Sequence, residues 1–448
     1  MTIIEPAWAS EPDHKVLVAR VRDAFVAKYG VEPDGVWSAP GRLNLLGEYI
    51  DFLGGSCMPM PLPYRTYVAG RLRRDGVLRA ESVQMPGDER TVVIRDIHPG
   101  NLKGWFTYVA GVAWSLNQEA GDITLPAEFG ADLMIDSNVP VGGGLSSSAA
   151  IECSTVLALM DLSVTLRQQV LDASSANGEL RARLAQVCIR AENKVAGAHT
   201  GGLDQTASLR STPGQALVVD FRDFSLQPVD VDLESAGLSF LVVNTNTPHE
   251  LAGGEFAARR AVTECATQAL GLAYLRDALP DDLRCAGLGE AEAKQWRLAA
   301  IDDLTNKAMV AMDSVTRCTE APRGWVRHAF HDMCLVERAA YVISVADAQS
   351  PAAWSELGNL FTESFVSMRD ELQVSRPEIN TAVDACLDAG ALGARIVGGG
   401  FGGAVMALVE ADSLYAVSQA VADAYAAWGY ASPEFLPMSP GFPAQRDH

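Results

Sequence analysis

The sequence predicts a mixed α+β fold, with a β-rich first half and a helix-rich second half. Short apolar runs separated by glycine or Asp-Gly are typical of the first half, and long segments with helical spacing are typical of the second. At 448 residues, 48% of them hydrophobic, the chain is long enough for two domains. We expect a first domain over residues 1–225, a second over 226–436 and a loosely held tail over 437–448.

In the first half, apolar spacing that ends at Gly30 predicts a helix over residues 14–29, and a strand follows at 35–39. Residues 66–73 and 77–82 flank Asp75-Gly76. Because this dipeptide tolerates the positive φ of a tight turn, we expect a β-hairpin there. The further predicted elements of this half are strands at 92–97 and 131–136 and helices at 149–162 and 178–196.

The second half begins with two short predicted strands, at 216–221 and 238–245. Helical spacing then dominates, and the predicted helices cover residues 255–271, 297–313, 325–345, 352–371 and 376–389. The chain ends with a strand, a glycine loop and a second strand over 393–409, followed by a helix over 412–427.

The net charge of −21 argues against a surface that binds nucleic acid or an anionic membrane. We therefore expect small-molecule partners and, by default, a monomer. Eight scattered cysteines without a Cys-x-x-Cys pair indicate buried reduced thiols. The first residues lack the basic start and apolar core of a signal peptide, and no apolar run is long enough to span a bilayer. We expect a cytoplasmic protein.

A glycine- and serine-rich segment lies between the strand predicted at 131–136 and the helix predicted at 149–162. It consists of Gly142, Gly143, Gly144, Leu145, Ser146, Ser147 and Ser148. Glycines let backbone N–H groups approach an anion, and serines add hydroxyls at a helix N-terminus. We predict a phosphate-binding loop, which lacks the lysine of G-x-x-x-x-G-K-[ST] and does not fit G-x-G-x-x-G. The alternative is a serine-capped helix after a flexible turn.

A second polar segment, residues 39–52, concentrates Arg42, Asn44, Glu48 and Asp51 between two glycines. The leucines between these residues indicate that the segment packs inward, and half-buried carboxylates are suited to recognise hydroxyl groups. The alternative is a solvated charged loop.

Two carboxylates further along the chain, Glu192 and Asp204, suit phosphate chemistry. A carboxylate and a serine hydroxyl together are suitable ligands for a metal bound to phosphate. A second carboxylate beside the loop could take a proton from an attacking alcohol. The alternatives are a surface charge for Glu192 and a helix N-cap for Asp204. A glycine run at 398–403, interrupted once, indicates the close approach of another backbone or a ligand.

These four segments, in this order, resemble the GHMP family of small-molecule kinases and, within it, the galactokinases. The matching segments are 41–51 for the galactokinase signature, 140–150 for the phosphate loop, 202–205 for the catalytic aspartate and 398–403 for the third motif, with Pro248-His249 as further agreement. The resemblance covers nearly the whole chain. It implies a two-domain GHMP fold with a left-handed βαβ-type phosphate loop. It also implies an ATP-dependent sugar 1-kinase that uses Mg²⁺ and converts α-D-galactose to galactose 1-phosphate.

The resemblance further implies roles for the site residues. Asp204 would accept the proton of the C1 hydroxyl beside Arg42, and residues 142–146 would wrap the phosphates. Ser148, with Ser147 next to it, and Glu192 would hold Mg²⁺. Trp105 and Tyr108 would lie near adenine. The expected sugar-pocket residues are Glu48, Tyr49, Asp51, Gly201 and Phe256.

Departures from the family pattern cluster in the sugar pocket. Tyr49 stands where the family usually has His, and Phe52 and Phe256 stand where it has Tyr. Two alternatives follow: a GHMP kinase for another hexose or sugar derivative, and a non-catalytic regulatory relative that binds sugar and ATP. The complete stretch from Ser146 to Ala150 argues against the second.

Overall fold

The structure is a computed structural model that describes residues 5–10, 13–118, 123–163, 165–167, 178–198, 200–247, 254–280, 283–315, 322–345 and 350–448. The helices are α1 (His14–Tyr29), α2 (Phe106–Leu116), α3 (Ser147–Leu162), α4 (Glu179–Ala191), α5 (Leu203–Arg210), α6 (Glu255–Ala269), α7 (Glu290–Asp313), α8 (Arg323–Val345), α9 (Pro351–Val366), α10 (Pro377–Asp388) and α11 (Leu414–Trp428). The strands are β1 (Ala7–Trp8), β2 (Gly35–Asn44), β3 (Ser56–Cys57), β4 (Pro59–Arg73), β5 (Val77–Ser82), β6 (Met85–Val93), β7 (Gly130–Ser137), β8 (Gln215–Asp220), β9 (Ser225–Asp230), β10 (Leu238–Asn244), β11 (Gly393–Val397), β12 (Ala404–Glu410), β13 (Glu434–Met438) and β14 (Gln445–Arg446).

The six-stranded sheet has the order β14-β2-β4-β7-β5-β6, and it corrects the predicted hairpin. The strands β4 and β5 are not paired, because β7 lies between them, antiparallel to β4 and parallel to β5. The local turn was predicted correctly, since Gly76 has a φ of 72°. The Asp75-Gly76 turn determines where the chain reverses. Which strands pair is determined by β7, a strand distant in sequence that lies between β4 and β5.

The five-stranded sheet has the order β1-β13-β10-β12-β11, and a small third sheet has the order β3-β8-β9. The expected loosely held tail is wrong. Residues 437 and 438 of this segment belong to β13, which pairs with β10, and Gln445 and Arg446 form β14, which pairs with β2. Meanwhile β1, near the start of the chain, pairs with β13. The two ends of the chain therefore cross, each joining the sheet built mainly by the other half.

Both large sheets are covered by helices on both faces, as alternate residues along their strands show. In the first sheet, Val68 packs under α2, α3 and α4, whereas the adjacent Ala69 packs against α1. In the second sheet, Val242 belongs to a core with α8 and α9, and Val243 to a core with α10 and α11. These layers fix the strand ends and helix starts that carry the site.

Most other predicted elements of the second half are observed within a few residues of their expected bounds. The helices expected at 178–196 and 352–371 each end in a π-helical turn, Glu192–Ala196 and Ser367–Glu371. Six cysteines of the described chain are free and buried as expected, but Cys265 on α6 is disulfide-bonded. Within the ranges above, no helix is both long and apolar enough to cross a membrane.

Candidate active site

One cavity of about 700 Å³ brings together most of the predicted site residues. Of those residues, the ones that line it are Arg42, Glu48, Tyr49, Asp51, Tyr108, Gly142, Gly144, Leu145, Ser146, Ser147, Ser148, Glu192, Gly201, Asp204 and Phe256. Gly143 and Trp105 are not among its lining residues. The cavity thus joins the ends of β2 and β7 and the starts of α3 and α5 to the glycine run between β11 and β12.

The glycine loop before α3 depends on residues without side chains. Gly142 and Gly144 have φ angles of 76° and 69°, in a region that L residues rarely adopt. A Cβ on Gly144 would lie 2.7 Å from the carbonyl oxygen of Val397, and a Cβ on Gly398 would lie 2.9 Å from the carbonyl oxygen of Gly144. The two glycine motifs therefore pack backbone against backbone.

The end of this loop has the properties of an anion site. Ser146 has a φ of 61°, and its buried hydroxyl has no hydrogen-bond partner among the described residues. It directly precedes α3, whose first N–H groups lack partners within the helix and lie at the positive end of its dipole. An unpaired hydroxyl beside a helix N-terminus is suited to a phosphate oxygen.

Arg42 and Asp204 form an ion pair beside the loop. Arg42 Nη2 lies 2.9 Å from Asp204 Oδ1, and Nη1 donates to the carbonyl oxygen of Gly144 at 2.5 Å. Arg42 belongs to β2, whose pairing with β4 shifts register between Pro40 and Arg42, and Asp204 lies in the first turn of α5. The Asp204 side chain is 21% exposed, so it remains accessible from the cavity.

Glu192 begins the π-helical turn after α4 and is almost fully buried. Its carboxylate accepts hydrogen bonds from Ser148, from Thr200 at 2.9 Å and from Gln205 at 2.6 Å. Burial, and next the charge of Asp204, raise the pKa of Glu192. The structure thus places Ser148 next to Glu192, the two residues that the resemblance assigns to a metal.

Glu152 is a buried carboxylate behind the cavity that was not predicted from the sequence. It lies in α3 with no exposure, and Gln205 Nε2 donates to it at 3.0 Å as well as to Glu192. Burial raises the pKa of Glu152 well above its ordinary value, and its other oxygen finds no partner among the described residues. The available signal was a carboxylate among the apolar residues of the helix predicted at 149–162, which also contains Asp161 near its end.

Asp51 and Gly201 are in direct contact, which explains the glycine. A Cβ on Gly201 would lie 1.8 Å from Asp51 Oδ2. The half-buried Asp51 carboxylate accepts from the N–H groups of Phe52 at 2.9 Å and Leu203 at 3.3 Å. Burial is the main cause that raises the pKa of Asp51.

The Glu48 carboxylate lines the cavity but also makes contacts within the protein. Its Oε1 accepts from Gly398 N–H at 2.8 Å and lies 3.5 Å from Arg395 Nη2. Since Glu48 also lines the cavity, it ties the third glycine motif to the expected sugar side.

An aromatic wall lies where the departures from the family pattern were noted. Tyr49 has a φ of 63°, and its hydroxyl donates to the carbonyl oxygen of Gly399 at 2.5 Å. Its ring lies 4.7 Å from that of Phe256, and Phe256 also contacts Phe52, with ring centroids 6.1 Å apart. The Tyr49 hydroxyl is thus already used by the protein.

The two aromatic residues assigned to adenine differ in position. Tyr108 lines the cavity, and burial raises its pKa to about 12. The Trp105 indole instead donates to Asp88 at 3.0 Å. The motif pair Pro248-His249 lies outside the described residues.

Comparisons with protein families and known proteins agree with this geometry. A model described as the galactokinase galactose-binding signature matches residues 23–72. The GHMP kinases N terminal domain matches 107–212, and the GHMP kinases C terminal model matches 345–427. Together they cover the glycine loop before α3, Glu192, Asp204 and the signature segment at 41–51.

Curated relatives match over most of their lengths. A galactokinase from Streptomyces coelicolor is 37% identical over 96% of this chain and 99% of its own. A galactokinase from Mycobacterium tuberculosis is 35% identical over 89% of this chain and 95% of its own. One from Bos taurus is 33% identical over 94% of this chain and 95% of its own.

Solved structures show the same fold. The Lactococcus lactis galactokinase complexed with galactose has a TM-score of 0.75 at 24% identity, covering 96% of this chain and 99% of that one. A mevalonate kinase has a TM-score of 0.55 at 15% identity, covering 90% and 99%. From the sequence identities and the matched family models, the chain belongs to the galactokinase family of the GHMP kinases.

Proposed function

We propose that this protein transfers the γ-phosphoryl group of ATP to the C1 hydroxyl of α-D-galactose, yielding galactose 1-phosphate and ADP. The observation that carries the proposal is the Arg42–Asp204 pair, held at 2.9 Å beside a glycine loop that leads into a helix N-terminus. The names of the curated relatives and the matched galactose-binding signature support the same reaction.

In this reaction Asp204 accepts the proton of the attacking hydroxyl, and its exposed edge faces the cavity. Arg42 fixes that carboxylate against the glycine loop and offers positive charge to the transferring phosphoryl group. The loop and the start of α3 bind the triphosphate through N–H groups and the Ser146 hydroxyl. Positioning and charge stabilisation supply most of the catalysis in phosphoryl transfer.

The donors beside the loop fit a Mg²⁺ ion that is shared with the nucleotide. Ser148 and Glu192 supply a hydroxyl and a carboxylate oxygen, and Mg²⁺ in kinases is held by one or two protein oxygens together with phosphates and water. Among the described residues, no group of three or more His, Cys, Asp or Glu side chains is arranged to hold a metal alone. When bound, the ion would neutralise phosphate charge between Ser148 and Glu192.

The sugar-facing side supports a second candidate, a kinase for another hexose or sugar derivative. Tyr49 and Phe256 form an apolar wall of the cavity, Phe52 packs behind Phe256, and the Tyr49 hydroxyl donates to the carbonyl oxygen of Gly399. Such a wall favours a substrate with fewer hydroxyls on that face, whereas Asp51 and Gly201 retain the polar side.

The deciding experiment is an ADP-release assay with ATP and Mg²⁺ over a panel of hexoses, with the Asp204→Asn variant as the background control. A kcat/KM for galactose above that of every other sugar supports the proposal. A higher value for another hexose transfers support to the second candidate. Sugar binding without turnover of any sugar contradicts both and identifies a regulatory relative.

A further inference from the structure

The backbone of the sugar-signature loop, residues 45–49, is held by buried side chains from the helical half of the chain. Asp332 on α8 has no exposure, and its Oδ2 accepts from the N–H of Gly47 at 3.0 Å and from that of Glu48 at 2.7 Å. Its other oxygen accepts from the hydroxyl of Ser364 on α9 at 2.7 Å. Both carboxylate oxygens are therefore used, and α9 orients the group that holds the loop.

Two further buried groups hold the same loop. His328, one turn before Asp332 on α8, places Nε2 3.3 Å from the carbonyl oxygen of Glu48, and its Nδ1 lies 2.9 Å from the hydroxyl of Ser367. Arg395 donates to the carbonyl oxygen of Leu45 at 2.6 Å. The backbone of the loop is thus fixed at Leu45, Gly47 and Glu48.

The loop needs such support because its conformation is unfavourable by itself. Gly47 has a φ of 99° and Tyr49 a φ of 63°. A non-glycine residue such as Tyr49 keeps a positive φ only when the surrounding structure holds its backbone in place. Gly47, Glu48 and Tyr49 line the cavity, whereas Asp332, Ser364 and His328 do not. The holding groups therefore act on the site only through the loop.

We propose that Asp332, oriented by Ser364, is a positioning residue that sets the sugar-facing geometry of Glu48 and Tyr49. This inference rests on the proposed function, since it assigns the loop to the sugar and not to the nucleotide. Loss of Asp332 leaves two loop N–H groups unpaired and frees the loop, whereas none of its hydrogen bonds reaches the glycine loop at 142–146.

The test compares Asp332→Ala, Asp332→Asn and Ser364→Ala with a matched control, Asp161→Ala. Asp161 is an equally buried carboxylate, bonded to Trp37, Arg167 and Arg446 and absent from the cavity lining. We expect Asp332→Ala to raise the sugar KM about tenfold or more, because it removes hydrogen bonds to a charged group. The KM for ATP should stay within about twofold, since no contact to the phosphate loop is lost.

Conservative replacement should rescue the loop. The amide of Asp332→Asn can still accept from Gly47 and Glu48 through its oxygen while its nitrogen donates to the Ser364 hydroxyl, so its sugar KM should lie within about threefold of wild type. If Asp332→Ala does not fold, Ser364→Ala, with an intermediate rise in sugar KM, keeps the inference testable. Equal rises in the KM values for sugar and ATP, or a matching rise in Asp161→Ala, would overturn it.

A readout independent of the sugar separates this inference from the proposed function. Amide hydrogen exchange of the peptide spanning 45–53 should be faster in Asp332→Ala than in wild type, and unchanged in Asp161→Ala. If no sugar is phosphorylated by wild type, the proposed function fails while the exchange experiment still decides the positioning role. Unchanged exchange in Asp332→Ala would refute that role.

Discussion

The guanidinium of Arg42 joins the carboxylate of Asp204 to the glycine loop. One Nη lies 2.9 Å from Asp204 Oδ1, and the other donates to the carbonyl oxygen of Gly144 at 2.5 Å. An arginine stays charged and presents its donors in a rigid fork, so the distance between the proposed base and the proposed phosphate site is set by one planar group.

Asp204→Asn should lower kcat by about 10²–10⁴-fold, the usual contribution of a positioned general base. The amide keeps the size of the side chain but cannot take the proton, so nucleotide binding should stay near wild type. Stopped assays of ADP release and calorimetric titration with ATP measure the two quantities. Turnover retained in the variant would remove Asp204 as the base.

Glu192→Gln should raise the Mg²⁺ concentration for half-maximal activity, because an amide oxygen is a weaker ligand than a carboxylate. Since burial raises the pKa of Glu192, protons compete with the ion at a higher pH than for an ordinary glutamate. Wild-type activity at limiting Mg²⁺ should therefore fall as the pH is lowered towards that pKa, and excess Mg²⁺ should move the fall to lower pH. If the fall of activity at low pH does not move when Mg²⁺ is added, Glu192 is not the Mg²⁺ ligand.

Glu152→Gln should change how stability depends on pH. Because the pKa of Glu152 is raised in the folded protein, the folded state holds its proton more tightly than the unfolded chain. Its stabilising contribution is complete below the unfolded pKa and is lost as the pH rises through the folded one. The melting temperature of wild type without Mg²⁺ should thus fall more than that of the variant as the pH rises. If the melting temperatures of wild type and variant change equally with pH, Glu152 contributes nothing to the pH dependence of stability.

Phe256→Tyr tests the sugar specificity. A phenolic hydroxyl that reaches the sugar would add a hydrogen bond worth about 0.5–1.5 kcal/mol, or at most about tenfold in affinity. We expect a lower KM for galactose with little change in the KM for ATP. Phe52→Tyr is the matched control, because Phe52 contacts Phe256 but does not line the cavity. A rise in the galactose KM would show that the apolar side chain at position 256 suits the preferred substrate better than a phenol does.

Removal of residues 442–448 should lower kcat by about tenfold, because α5 is then free to shift. A tenfold change corresponds to about 1.4 kcal/mol in the activation barrier. Ala444 N–H donates to the carbonyl oxygen of Ser208 at 2.8 Å, and Arg181 donates to the carbonyl oxygens of Leu209 and Ala444. These contacts hold α5, which carries Asp204. Arg22→Ala, which breaks a surface ion pair with Glu32, serves as the control. Full kcat in the truncated protein would refute the link.

The fold class and the phosphate side of the site were predictable because their signals are local. Strand, glycine loop and helix follow one another within residues 130–162, and the glycine spacing reports close packing directly. The false hairpin and the false tail share a cause: strand pairing is decided by partners far away in the chain. The strand β7 separates β4 from β5, and β14 pairs with β2.

The groups that hold the site were not predictable for the same reason. Asp332 contacts backbone groups 284 and 285 residues away, and nothing in its neighbourhood on α8 marks it. The Glu152–Gln205–Glu192 network likewise depends on the approach of three separate elements. Predicting the residues that touch a ligand requires motifs, whereas predicting their supports requires the packed structure.

The crossed ends of the chain also determine when the fold can be completed during synthesis. The strand β14, made after the other described strands, occupies the edge of a sheet whose other strands lie before residue 138, and β1 has no partner until β13 has been made. On the ribosome, the edge of β2 therefore stays open until Gln445 and Arg446 have emerged. Open strand edges readily pair with other chains, so the nascent protein stays exposed to aggregation while the residues between β7 and β14 are made.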